Sequence, residues 1–223
     1  MASRRPATFL LFSIALGGIS ASARGQMLLY EGFNHMEGNN LVGSGSWTED
    51  ASGSALTIAG GSLVSPVGLP STGNRVQIPT STGHQSAQLQ FDATGSNSVF
   101  ASFLFRLDVV NSLSTSFATL TRVESGGVNG LGVFVRQNSG SADQFDLGIH
   151  KRANSGSAVT DASLQGLSEN TVYFVLVQYA PGQGTGDDEM RIWLNPTTNL
   201  GQPSLRPTVM EDPCFAGPSR FSC

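Results

Sequence analysis

Lysine is almost missing from this 223-residue chain: Lys151 stands alone beside eleven arginines, and the twelve cations face sixteen acids for a net charge of −4. A surface with that balance carries no basic stripe to neutralise phosphates, so nucleic-acid binding is excluded. Charge of either sign is scarce, at 13% of the chain against about a quarter in an average globular protein, which excludes a charged disordered tail and a coiled coil flanked by ion pairs. Cysteine is confined to Cys214 and Cys223. The body therefore has no disulfide framework and no thiol nucleophile, and a bridge between these two would close only a short loop at the tail. The three histidines, His35, His84 and His150, fall in separate segments without metal-ligand spacing, and a zinc site built on imidazoles is not expected. Of eighteen aromatic residues thirteen are Phe, so rings with a polar handle are few.

Long apolar runs are also lacking, except at the N-terminus. Arg4 and Arg5 precede an apolar stretch from Thr8 to Ile19, and Ala21-Ser22-Ala23 follows as a small-x-small pattern. That order of basic, apolar and small residues reads as a secretory signal peptide over 1–25. The stretch is shorter than the roughly 20 apolar residues of a spanning helix, so the mature chain is expected to have no membrane span and to be secreted or held at the cell surface. Cleavage after Ala23 removes Arg4 and Arg5, leaving 12 − 2 = 10 cations against 16 acids. The excised segment is expected to pack against nothing.

What the chain has in quantity is glycine, 27 residues, and apolar residues in strict alternation. Val99, Ala101, Phe103, Phe105 and Leu107 share one face while Ser102, Leu104, Arg106 and Asp108 share the other. The same period recurs in Ala87 to Phe91, Phe117 to Val123, Leu131 to Arg136, Phe145 to His150 and Met190 to Asn195. A period of two is that of a strand with one buried face. Thr171 to Tyr179 is apolar on both faces until Gln178, the pattern of a central strand covered on two sides. Gly, Ser, Asn and Asp clusters separate these runs and supply turn chemistry. The expectation is a single all-β domain over 26–205 made of two antiparallel sheets, followed by an irregular tail over 206–223. Phe103, Phe105, Phe117, Val133, Leu147, Phe174, Ile192 and Leu194 are expected in its core.

Several segments together resemble the secreted bacterial concanavalin A-like, laminin G-like jelly-roll proteins: Leu29-Tyr30-Glu31-Gly32-Phe33, the Trp47 loop, Gly73-Asn74-Arg75-Val76, and above all Val172-Tyr173-Phe174-Val175 with Met190-Arg191-Ile192-Trp193-Leu194-Asn195-Pro196. In that superfamily such a hairpin typically ends as apolar, apolar, x, Asn and a turn. The resemblance implies a two-sheet jelly-roll sandwich. Jelly rolls of this kind end in a strand that returns beside the first, whereas Met210 to Cys223 contains Pro213, Gly217 and Pro218 and no alternating run. The chain thus reads as lacking its closing C-terminal strand, which leaves closure of the sandwich open.

Candidate chemistry is sparse. The Glu-x-Asp-x-x-Glu arrangement of glucanases with this fold is absent, no Gly-x-Ser-x-Gly elbow joins a strand to a helix, and Asp143 and Asp146 stand at an odd separation that places them on opposite faces of a strand. No catalytic role is assigned. The outward positions carry Arg75, Arg106, Arg122, Arg136 and Arg191 with Asp108, Asp146, His150 and Trp193. They read either as cross-strand ion pairs on a half-exposed sheet or as a ligand-binding face in which Trp193 or Tyr179 stacks on a sugar while Arg191, Arg106 and Asp108 bond its hydroxyls. Trp47, in a glycine-rich loop, is a further ring for a ligand, or else a plug at the end of the core. Asp187 and Asp188 at a hairpin tip are a solvated turn or a calcium site with hard oxygen ligands. Three functions remain: a non-catalytic secreted module that binds carbohydrate or protein, a structural surface protein without a small ligand, and a degenerate polysaccharide-active enzyme.

Overall fold

A computed structural model describes residues 29–79, 83, 85–91, 98–123, 132–150, 164–180 and 189–197, with backbone alone at 7–11, 124–125, 128–131 and 219–222. Thirteen strands appear in it: β1 Ala7–Leu11, β2 Thr48–Ala51, β3 Thr57–Ala59, β4 Arg75–Ile78, β5 Ser86–Phe91, β6 Val99–Arg106, β7 Ala118–Ser125, β8 Val128–Gln137, β9 Gln144–His150, β10 Leu167–Ser168, β11 Val172–Ala180, β12 Glu189–Leu194 and β13 Ser219–Ser222. There is no α-helix among the described residues, and none there that is long and apolar enough to cross a membrane.

The strands form a six-stranded sheet in the order β12-β11-β6-β1-β4-β3 and a seven-stranded sheet in the order β10-β9-β8-β7-β13-β5-β2. Every pairing is antiparallel. Register puts the alternating apolar sets on matching faces. Phe103 and Phe105 of β6 stand opposite Val175 and Tyr173 of β11, and Val177 opposite Ile192 of β12. In the other sheet Val133 and Val135 of β8 stand opposite Ile149 and Leu147 of β9. A one-residue slip would turn each of these sets to the other face, so burial of one face specifies the register.

The two inner faces meet in a single apolar cluster. Its centre is aromatic: Phe105 of the six-stranded sheet lies edge-on to Phe145 of the seven-stranded sheet at 5.8 Å and stacks on Tyr173 at 5.6 Å. Edge-to-face and offset geometries suit the ring quadrupoles. Tyr173 can be buried because its hydroxyl has partners, accepting from the Ser168 N–H at 2.9 Å and donating to the Ser168 carbonyl. That pair also ties β11 to β10 of the opposite sheet. Strand β11 is buried on both faces from Tyr173 to Tyr179, as the unbroken apolar run of its sequence indicates.

The hairpin of β11 and β12 is closed by Asn195. It adopts the left-handed conformation, φ +48°, which Asn tolerates better than most residues. Its N–H donates to the Phe174 carbonyl at 2.7 Å, and its Oδ1 accepts from the Phe174 N–H at 2.8 Å. One side chain thus satisfies a strand end that would otherwise leave a buried amide without a partner.

Four features depart from the sequence reading. Ala7–Leu11, inside the segment expected to pack against nothing, is paired as β1 between β4 and β6. Ser219–Ser222, inside the tail expected to be irregular, is paired as β13 between β5 and β7, so a C-terminal strand does complete the seven-stranded sheet. Backbone pairing needs no alternation in a four-residue strand flanked on both sides, which is why the tail gave no signal. Phe117 is half-buried, its ring under the Arg136 guanidinium at 4.5 Å. Phe174 is buried, yet it faces outward, since its register partner is Leu104 rather than a residue of the inner set.

Candidate functional site

Each side chain on the outer face of the six-stranded sheet can be placed in a row across the strands. One row runs Phe100, Gln178, Arg191 over β6, β11 and β12; the next runs Ser102, Leu176, Trp193; the next pairs Leu104 with Phe174; the last pairs Arg106 with Val172. The middle of the face is apolar and buried, with Leu104 at 1%, Phe174 at 3%, Leu176 at 6% and Trp193 at 7% exposure. Sequence parity assigned Leu104 and Trp193 to the outer face correctly, whereas Phe174 was expected in the core. It could not show that the face is covered there.

This overturns the stacking roles assigned to the tryptophans and to Tyr179. Trp193 points outward but offers no open ring, and Tyr179 is an inward core residue at 1% exposure. Trp47 is the core plug: it is 2% exposed, stacks on Phe33 at 5.9 Å and donates its Nε1–H to Glu31 Oε2 at 3.0 Å. An indole is buried whole only when its N–H finds an acceptor, and Glu31 provides it while also accepting from the Phe33 N–H at 2.6 Å.

The expected polar contacts are divided between two ends of the sheet. Arg106 pairs with Asp108 at 2.5 Å, while Arg191 donates to Gln178 Oε1 at 3.2 Å and pairs with Glu189. Six residues of strand separate the Arg106 row from the Phe100 row, about 20 Å at the rise of an extended chain. Arg106 and Asp108 therefore do not share a site with Arg191. Asp187 and Asp188 lie outside the described residues, and no group of three or more metal-ligating side chains occurs among the described ones.

What the structure does bring together is Phe100, Gln178 and Arg191. Phe100 is 53% exposed, one of four large apolar side chains so exposed among the described residues. Gln178 is its register partner, and Arg191 is the register partner of Gln178. Neighbours in such a row have Cα atoms about 4.5 to 5.5 Å apart, so an open ring, an amide and a guanidinium stand side by side. Arg191 Nε is buried and has no hydrogen-bond partner, an unusual state for a guanidinium nitrogen. The sequence carried the signal for Phe100, because it alternates with Val99 and Ala101, but its two polar row-mates come from strands 78 and 91 residues away and only pairing assembles them.

The outer face of the seven-stranded sheet is built differently. Asp146, 1% exposed, accepts from Arg136 Nε at 2.9 Å, Asn138 Nδ2 at 2.6 Å and the Gly166 N–H at 3.1 Å. It is the sole fully buried acid among the described residues, and its oxygens are committed to three donors. Arg122 reaches Asp50 at 2.7 Å, joining β7 to β2. His150, expected to be solvated, is buried at 8% and lies edge-on to Phe134 at 6.4 Å; burial pushes its pKa below the ordinary imidazole value because the charged form loses water. The arginines thus follow the cross-linking reading here. Arg75 instead donates Nη1 to the carbonyls of Gly60 and Gly61.

No family model, no curated protein and no solved structure matches this chain.

Proposed function

We propose that this is a secreted, non-catalytic jelly-roll module of the concanavalin A-like type that binds carbohydrate on the outer face of its six-stranded sheet. The observation that carries the reading is the row Phe100, Gln178, Arg191, in which an exposed ring adjoins an amide and a guanidinium. A sugar ring offers an apolar face to stack on an aromatic and a rim of hydroxyls to bond with polar side chains. Loss of water from the stacked faces supplies affinity, and the hydrogen bonds supply orientation. The jelly-roll assignment is supported by the two antiparallel sheets over one core and by the Asn195 closure of the β11–β12 hairpin.

A glycan array followed by titration of soluble oligosaccharide against the parent and Phe100→Ser tests this. Binding by the parent that falls about tenfold or more in a folded Phe100→Ser protein, the loss of one stacking contact of about 1.5 kcal/mol, supports the face. Equal affinity in the two proteins would remove the ligand from it, and an array without any hit would favour a structural surface protein.

A further inference from the structure

The cation of the Phe100, Gln178, Arg191 row comes with its own counter-ion. Glu189 stands two residues before Arg191 on β12, between and beside the buried inward residues Met190 and Ile192, so both charged side chains leave the strand on its outer face. Glu189 Oε2 accepts from Arg191 Nη2, and Gln178 Oε1 accepts from Arg191 Nη1 at 3.2 Å. Both terminal nitrogens of the guanidinium are thus engaged within the sheet. With its oxygen taken by Arg191, Gln178 presents the two N–H donors of its side-chain nitrogen. The ion pair is 29% exposed on the Arg191 side and 15% on the Glu189 side, so water and salt screen it less than a pair standing free on a surface.

The rows around this pair add no charge to it. On one side lie Ser102, Leu176 and Trp193, then Leu104 and Phe174, all uncharged; on the other, Glu189 shares its row with Ala180. Along β6 the next described charge on this face is Arg106, about 20 Å from Phe100 at the rise of an extended chain, and it is matched by Asp108. The chain as a whole carries sixteen acids to twelve cations. The row therefore offers a ring and N–H donors at a net charge near zero, on a protein of negative sign. An acidic sugar brought here must shed the water around its carboxylate, while the attraction of Arg191 and the repulsion of Glu189 act from similar distances and largely cancel. A hydroxyl has no charge to desolvate and accepts from the same donors.

We propose that the site selects neutral pyranosides over acidic ones, and that Glu189 sets this selectivity by cancelling the charge of Arg191. The inference rests on the reading of this row as a glycan site. Glu189 is a positioning residue: it acts through Arg191, fixing the guanidinium and removing its pull on anions. Phe100 and Arg191 stand two strand spacings apart, about 10 Å, the span of a disaccharide. One sugar then stacks on Phe100 with its hydroxyls over Gln178, and the charge of the next sugar is what the Arg191–Glu189 pair reads.

The experiment titrates the full chain with β-1,4-linked hexaoses of glucose, mannose and galactose, each paired with its counterpart oxidised to the carboxylate at C6, at low and at near-physiological salt. The parent binds a neutral hexaose about tenfold or more tightly than its carboxylated counterpart, and the neutral affinity changes less than about twofold with salt, because no ion pair forms between protein and sugar. Glu189→Gln keeps the shape of the side chain and frees the charge of Arg191. In it the ratio of the two affinities falls about tenfold or more, and the carboxylated sugar gains an affinity that salt weakens. Glu189→Asp, which restores the charge, restores the neutral preference. A purely structural role for Glu189 would weaken both sugars alike and leave the ratio and the salt dependence untouched. A parent that prefers the carboxylated member, or a folded Glu189→Gln protein with an unchanged ratio, overturns the selectivity and leaves the glycan face in place. Should Glu189→Gln fail to fold, the parent decides alone, since an affinity for the neutral sugar that falls steeply with salt also overturns it. Binding of none of the hexaoses overturns the selectivity and the face together.

Discussion

The outer faces of the two sheets are drawn from the same alternating pattern but are held together by opposite means. On the seven-stranded sheet the ion pairs run between strands: Arg136 and Asp146 are register partners on β8 and β9, and Arg122 on β7 reaches Asp50 on β2. On the six-stranded sheet they run along strands, Arg106 with Asp108 and Arg191 with Glu189, each two residues apart in sequence. A pair within one strand cannot hold that strand to its neighbour. The cross-strand contacts of the second face are left to apolar side chains in its middle and to the Phe100, Gln178, Arg191 row at its end. One face is therefore tied across its strands by ion pairs, while the other is crossed by the Arg191–Gln178 hydrogen bond and keeps the exposed ring of Phe100 beside it.

The hardest test of this contrast is Asp146→Ala. It strands Arg136, Asn138 and the Gly166 N–H without their common acceptor, and we expect a loss of about 3 kcal/mol in urea unfolding, tempered by the partial exposure of Arg136. A loss below about 1 kcal/mol would mean that the cross-strand network is not what holds this face.

Next in size is acid sensitivity from His150. Its pKa is lowered in the folded state, so the unfolded chain binds the proton more readily. Stability is accordingly full above the unfolded value of about 6.5 and declines as pH falls below it toward the lowered folded value. His150→Phe, beside Phe134, should flatten the pH dependence of the melting temperature below about pH 6.5; an unchanged slope would assign the dependence to other groups.

Smaller effects are expected from the exposed ion pairs. Arg106→Ala should cost no more than about 0.5 kcal/mol, and Arg122→Ala up to about 1 kcal/mol because it joins two strands that are not adjacent. Melting curves at low and high salt would rank them, and a larger loss from Arg106 would erase the distinction between the faces. The smallest change in stability belongs to Phe100→Ser, within about 0.5 kcal/mol for a half-exposed ring, although it should have the largest effect on glycan binding.

Much of the fold is legible in the residues. The alternation in Val99 to Leu107, Phe145 to Ile149 and Met190 to Leu194 marks strands with one apolar face, and Phe103, Phe105, Val133, Leu147 and Ile192 are buried in the core as that period requires. The candidate site is far less legible. Trp193 and Trp47 attract attention because exposed tryptophans bind ligands, but both are buried, one in the covered middle of an outer face and one against Phe33. Phe100 passes unnoticed in a phenylalanine-rich chain until its exposure and its neighbours are known.

Local alternation by itself determined the all-β class, the two alternating side-chain sets of strands such as β6, β9 and β12, and the doubly buried character of β11, because side-chain direction along an extended chain is set within a few residues. Only the tertiary structure decided which outward residues meet water, which of them share a row, and that Ala7–Leu11 and Ser219–Ser222 fill places in the sheets. Those outcomes depend on which strands become neighbours. Pairing is fixed by the whole set of strands competing to bury their apolar faces and satisfy their backbone groups, and no single segment carries that information.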